Sequence, residues 1–422
     1  MNYIQNNSWI EVSIDSDFPL QNIPFGVFRH PVEKDGRCAT RIGDTVIDLS
    51  QLASLGYFDA FEMDLSVFFE NHLNPFIELG KEVTTKVRLF LIDFFGVQNI
   101  PDQDERKMIE SSFFDAKSIE MMMPIRVGDY TDFYSSIDHA TNVGIMFRDP
   151  ENALFPNWKH LPVGYHGRSS SIVVSGTKIH RPKGQILPQG STTPIFSPSR
   201  TMDFELEMAF IIGKESDLGS SISTSEADEY IFGMLAFNDL SARDIQKWEY
   251  VPLGPFLGKN FGSVVSPWIV TLEALEPFRI KGSNQEPQVL PYLQFTGMKN
   301  YDIHLDVILE TQDGVETVIS KSNHKYLYWN MCQQLAHHTI NGCNVRVGDL
   351  YASGTISGPT DESYGSLLEL SWGGTKTIQL KDGTERKFLN DFDQINIHAY
   401  CKMENLRIGF GECRTQLLPA KI

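Results

Sequence analysis

Residues 202–213 read MDFELEMAFIIG, and the alternation of acidic with apolar positions marks a β-strand. Side chains two apart on a strand project from one face, so Glu205 and Glu207 point together, and Ala209 and Ile211 continue the same face. Two carboxylates side by side repel unless something neutralises them. Taken alone, an E-x-E is more often the wet face of a half-buried strand. An acidic pair at one end of an apolar face also suits a hard cation, because calcium and magnesium take carboxylate oxygens.

Outward from this strand, aromatic and β-branched runs alternate with Gly and Pro turns from about Asp129 to the end, which predicts a large β-rich domain with few long helices. One helix is expected inside it, from about Lys325 to His338, ending at the turn pair Asn341 and Gly342. Toward the N-terminus, IPFGVF and TVIDLS read as short strands. Val83, Val87, Leu91 and Phe94 then recur at helical spacing between Leu79 and Phe95, with Gly96 as a stop, and a further helix follows Pro101. The fold class is therefore mainly β with some α. A chain of 422 residues is expected to form two unequal domains, placed here at 1–123 and 124–422. There is no repeat of fixed period and no Gly-rich phosphate loop, so nucleotide chemistry lacks support.

The formal net charge of -18 gives no basic footprint for nucleic acid or for an acidic membrane face, and any anionic ligand must be held by local cations. Five scattered cysteines without a CxxC pair fit neither a disulfide framework nor a thiolate zinc site, which implies a reducing compartment. The first twenty residues carry Glu11, Asp15 and Asp17 and lack a basic start with an apolar run, and the apolar stretch Leu89 to Val97 is short and broken by Asp93. Secretion and membrane spanning are not expected.

Two further acids, Asp132 in DYTDFYSS and Asp239 in FNDLSARD, stand in loops or strand ends beside useful side chains. Either alone reads as a turn or cap residue; with Glu205 and Glu207 they make a candidate oxygen-lined site. Of 11 histidines, His139 is the candidate base: it follows Asp132 by seven residues, in a stretch rich in hydroxyls and small side chains rather than the aliphatic bulk of a core strand. His337 and His338 are weaker candidates, since adjacent helical residues diverge and both sit in a last turn. The run from Asn238 to Ser263 gathers Arg243, Gln246, Tyr250 and Lys259 close to Asp239. Such donors stabilise charge that develops as a bond breaks; otherwise Arg243 and Asp244 are members of surface ion pairs.

Taken in order, DYTDFYSS, HATNVGIMFR, PNWKHLPVGYHGRSSSIVVSG, ELEMAF, SARDIQKWEYVPLGPFLGK, NGCNVRVGDLYASGTISG and LELSW resemble the fumarylacetoacetate hydrolase family in its full-length two-domain form. The resemblance runs through nearly the whole chain. It implies a small N-terminal SH3-like β-barrel domain, a large C-terminal mixed β-roll domain and a cytosolic homodimer. It implies hydrolysis of 4-fumarylacetoacetate to fumarate and acetoacetate, the last step of tyrosine and phenylalanine breakdown. By motif match, Asp132, Glu205, Glu207 and Asp239 hold Ca2+ and/or Mg2+. A second cation lies near Asp239, Lys259 and Ser263, with Lys259 offering its backbone carbonyl. His139 is the base and Glu369 its orienting partner; Arg243, Gln246 and Lys259 stabilise the oxyanion and leaving group. Tyr134, Arg148, Tyr165, Gln246, Tyr250 and Thr355 bind a small diketo acid. Two positions depart from the pattern: Leu240, where Trp is common, and Asp138 before His139. The rival readings are a metal-dependent keto-acid decarboxylase or hydratase of the same superfamily, and a noncatalytic metal-binding scaffold.

Overall fold

The computed structural model describes residues 7–32 and 34–421. Its centre is the antiparallel pair Leu206–Ile212 and Ile231–Asp239. Leu206–Ile212 also pairs with Leu350–Ala352, which runs parallel to Tyr130–Phe133. On the other side, Ile231–Asp239 pairs with Trp268–Thr271 and Ser263–Val265. Trp268–Thr271 in turn pairs with Phe25–Arg29, so strands of the N-terminal segment extend the same 13-stranded sheet. Among the described strands no closed barrel forms: Phe25–Arg29, Arg37–Ile42, Thr45–Asp48 and Phe113–Asp115 form an open path that runs on into the central sheet.

Strand alternation divides the interior. Leu206, Met208, Phe210 and Ile212 enter one core with Leu305, Val307, Ile395 and Ile397 of a second, five-stranded sheet. Ala209 and Ile211 face the other way, together with Leu235, Phe237, Leu350 and Ala352, and pack against Phe25, Phe76, Val87 and Leu91. Each such side chain contributes about 1.5–3 kcal/mol on full burial, so this second face is firmly covered by the N-terminal segment. The end of this sheet carries Glu205, Glu207, Asp239 and Asp132, all buried.

The helix expected over Leu79 to Phe95 is Lys81–Phe94, and the one after Pro101 is Gln103–Glu110. The late helix is shorter at its start than expected: it spans Met331–Thr339, because Asn330 caps it and exchanges hydrogen bonds with Gln333. Two helices that were not expected bear on the site. Ile137–Phe147 begins at Ser136, whose hydroxyl accepts from the His139 N–H, and Arg243–Glu249 follows the Asp239 strand. Among the described residues no helix is long and apolar enough to cross a membrane.

Candidate functional site

Neighbouring strands place the acids by register. Glu207 lies opposite Phe237, two residues before Asp239, while Ala352 pairs with both Ala209 and Asp132. Glu205 precedes its strand and bridges to Ser366. All four carboxylates are buried, and one oxygen from each lies within 4.8 Å of the others. At an effective dielectric of about 20, two unit charges at that separation repel by about 3.5 kcal/mol. Burial, then Asp239, holds the Asp132 carboxyl well above the usual range; burial, then Asp132 and Glu205, does the same to Glu207. Asp132 Oδ1 and Glu207 Oε1 are buried with no hydrogen-bond partner. Orphaned anionic oxygens in an all-oxygen cluster are what a hard divalent cation satisfies, so these residues fit one.

Two cations meet part of this charge. Lys259 Nζ donates to Glu205 Oε2 at 2.5 Å and to Asp239 Oδ2 at 2.6 Å, and Ser263 Oγ donates to Asp239 Oδ1 at 2.7 Å. Arg243 donates from Nη1 to Glu205 Oε1 at 2.7 Å and to Gln246 Oε1 at 3.2 Å, one helical turn on. Burial opposes the charge on Glu205, but Lys259 and Arg243 outweigh it and hold this carboxyl far below the usual range. Within one cluster, therefore, Glu205 is held as an anion while Asp132 and Glu207 resist ionising.

The second group centres on His139, whose Nδ1 is 2.6 Å from Glu369 Oε2. Ser357 and Ser366 hydroxyls also donate to Oε2, at 2.8 and 2.9 Å, and Asn142 Nδ2 donates to Oε1 at 2.9 Å. Burial alone would raise the Glu369 carboxyl, yet His139 and these donors bring it below the usual range. An imidazole fixed at Nδ1 has Nε2 free for proton transfer. The Tyr134 ring stands edge-on to His139, with centroids 5.3 Å apart.

The remaining candidates divide. Tyr165 OH lies 3.4 Å from Asp239 Oδ2, and Thr355 Oγ1 is buried without a partner beside Gly354, whose N–H donates to Glu207 Oε2 at 2.9 Å. Arg148 donates to the Ala153 carbonyl at 2.6 Å and lies over the Phe155 ring. Tyr250, just past its helix, is 52% exposed. His337 and His338 stand outside it, against Tyr292 and against Thr131 and Tyr351; burial pushes His338 down to about 4. Of the departures, Leu240 is fully packed in the core, and Asp138 occupies the next helical face from His139. The sequence reading missed Asp203, Asn142, Ser357 and Ser366. Only Asp203 carried a signal, since Asp203, Glu205 and Glu207 continue one period of two.

A cavity of about 260 Å³ reaches Tyr165, Asp239, Lys259 and Ser263, with Phe256 and Arg168 also in its lining. Of the four acids Asp239 alone lines it, beside Lys259.

Two family models match the chain, "Fumarylacetoacetase N-terminal" over residues 21–124 and "Fumarylacetoacetate (FAA) hydrolase C-terminal" over residues 130–418. The chain is 52% identical over 418 residues to a fumarylacetoacetase of Dictyostelium discoideum, covering 98% of each chain. It is 51% identical over 414 residues to that of Homo sapiens, covering 98% of this chain and 99% of the other. Among solved structures, a fumarylacetoacetate hydrolase from psychrophilic Exiguobacterium antarcticum aligns with a TM-score of 0.53 at 17% identity, over 94% of this chain and 100% of that chain, a likeness of fold alone.

Proposed function

The chain belongs to the fumarylacetoacetase family, and from that membership we propose that it hydrolyses 4-fumarylacetoacetate to fumarate and acetoacetate. The observation that carries the reading is near-50% identity over almost the whole length of relatives so named. The buried acid cluster beside a histidine–carboxylate pair supports it.

Asp132, Glu205, Glu207 and Asp239 would hold Ca2+ or Mg2+, with Ser263 and the Lys259 backbone carbonyl at a second cation. A bound divalent ion supplies Lewis acidity toward the oxygens of a 1,3-diketone. The chain's own residues do the rest. His139 Nε2 takes a proton from water, whose oxygen adds to the ketone carbon of the fumaroyl group, the carbon that becomes the second carboxyl of fumarate. Glu369 holds the ring and stabilises the imidazolium. The bond between that carbon and the acetoacetate carbon breaks, and its electron pair passes to the acetoacetate fragment. Arg243, Gln246 and Lys259 stabilise this charge, and the proton on His139 neutralises it. Arg148 and Tyr134 bind a terminal carboxylate; Tyr165, Tyr250 and Thr355 shape the remainder of the pocket.

The finer architecture belongs to the same reading: an SH3-like unit over 1–123, a β-roll catalytic domain over 124–422, a homodimer, and a cytosolic home. The test is to offer purified protein fumarylacetoacetate and follow the absorbance of the conjugated diketone with and without chelator. Loss of absorbance with equal yields of fumarate and acetoacetate, stopped by chelator and restored by Ca2+ or Mg2+, is expected. An inert diketone with turnover of a related keto acid would instead favour the decarboxylase or hydratase reading, and no turnover at all the scaffold.

A further inference from the structure

Arg243 has five N–H donors in a rigid fork, and the structure spends them unevenly. Nε donates to Asp203 Oδ2 at 2.8 Å, Nη1 is taken by Glu205 and Gln246, and Nη2 is buried without a partner. A guanidinium left to itself beside a carboxylate forms two parallel hydrogen bonds to it. Beside Glu205 that arrangement would consume Nη2. Two contacts prevent it: Lys259 holds the second Glu205 oxygen, and Asp203 holds Nε.

Asp203 is itself fully buried and fixed from several sides. Its Oδ1 accepts the N–H groups of Phe204 at 2.8 Å and Leu367 at 2.7 Å, and Oδ2 accepts that of Leu368 at 3.0 Å. Leu367 and Leu368 open the short helix whose next residue is Glu369, the partner of His139. One carboxylate thus ties the segment that orients the base to the cation facing the leaving group.

We propose that Asp203 is a positioning residue for the hydrolysis: it holds Arg243 so that Nη2 stays uncommitted for the substrate, in fixed relation to the His139–Glu369 pair. This rests on the hydrolase reading. Asp203→Asn tests it, because an amide oxygen at the Oδ1 position still accepts from Leu367 and Phe204 while its NH2 faces Arg243 Nε and the Leu368 N–H, donor against donor. Misplacing a stabilising group by about 1 Å costs about 100-fold, so kcat of Asp203→Asn is expected to fall by about that factor, with KM nearly unchanged. In an Arg243→Gln background the same change should cost far less, since the route through the guanidinium is already gone and only the Leu368 contact remains to be lost. This background also serves if Asp203→Asn alone fails to fold, because there Asp203 lacks its cation and Asn is the better tolerated residue. Loss carried by KM, wild-type kcat in Asp203→Asn, or a double variant below Arg243→Gln by the full single-variant factor would each overturn the assignment. Wild-type enzyme in the same assay separates the two failures: an inert wild type sinks the hydrolase reading, and an active wild type with an unimpaired Asp203→Asn sinks this assignment alone.

Discussion

Replacing Glu369 by Gln removes one negative charge from a site where shape can be kept. The amide oxygen can occupy the Oε2 position and still accept from His139, Ser357 and Ser366, while the amide nitrogen faces Asn142, which turns its own amide to present oxygen. The hydrogen bonds survive, and what is lost is attraction between the carboxylate and the imidazolium that forms when His139 takes a proton from water. At about 4 Å between charge centres and an effective dielectric of about 20, that attraction is about 4 kcal/mol. A barrier raised by about 4 kcal/mol slows turnover by about 1,000-fold. His139→Asn should lose about 100-fold to 10,000-fold, the contribution of a positioned base, and the double variant should be scarcely worse than His139→Asn alone. Steady-state rates of the four proteins, with circular dichroism to show that each is folded, make the measurement. Losses that simply multiply, or a Glu369→Gln enzyme close to wild type, would refute a carboxylate acting through the histidine.

Other consequences of the geometry are open to measurement. Glu207→Gln should weaken calcium or magnesium binding by at least about tenfold, or 1.4 kcal/mol, as read by titration calorimetry; in chelator the variant should melt above wild type, because repulsion with Asp132 and Glu205 is relieved. Arg148→Leu should raise KM more than it lowers kcat, since its proposed role is to hold a carboxylate away from the breaking bond; a collapse of kcat at constant KM would reassign it. Asp17 lies 2.6 Å from His398 Nε2 and 2.5 Å from Arg407 Nε. Burial opposes its charge, but His398 and Arg407 bring its carboxyl below the usual 3.8. Its contribution to stability is therefore complete above pH 3.8 and lost as pH falls through the lowered folded-state value. Asp17→Asn should accordingly melt below wild type at neutral pH and converge with it in acid; a gap independent of pH would remove the ion pairs from the account.

The strand at 202–213 was legible because alternation is a local rule, and it located Glu205, Glu207 and, had the period been carried back, Asp203. The helix holding His139 was not legible. Ile137, Thr141 and Val143 are β-branched and Gly144 is a weak helix former, so propensity argues against it. Gly144 is there for a distant contact: a Cβ at that position would sit 2.1 Å from the Ala153 carbonyl oxygen. Asn142, Ser357 and Ser366 meet at Glu369 from separate segments, and no spacing in one sequence brings them together. Asn330 and Gln333, three residues apart, carry the start signal of their helix, which the sequence reading passed over in placing it near Lys325. The open N-terminal path is a matter of which strand edge finds which partner, and Trp268–Thr271 is more than two hundred residues from Phe25–Arg29.

The face of the sheet that ends in the acid cluster is also the floor on which the N-terminal segment rests. Phe76 packs there against Phe25, tilted, and against Phe232, edge to face, with ring centroids 4.9 and 6.4 Å away. Cutting such a ring back to a methyl group costs about 3–5 kcal/mol, set against a total of about 5–15 kcal/mol for a folded domain. Damage at Phe76 leaves every reacting group in place, so the molecules that remain folded turn over normally while fewer of them survive the cell's proteases. Substitutions in this floor are thus deficits of dose, correctable by whatever stabilises the fold, whereas substitutions at the acids or at His139 are deficits of chemistry that no rise in protein level restores.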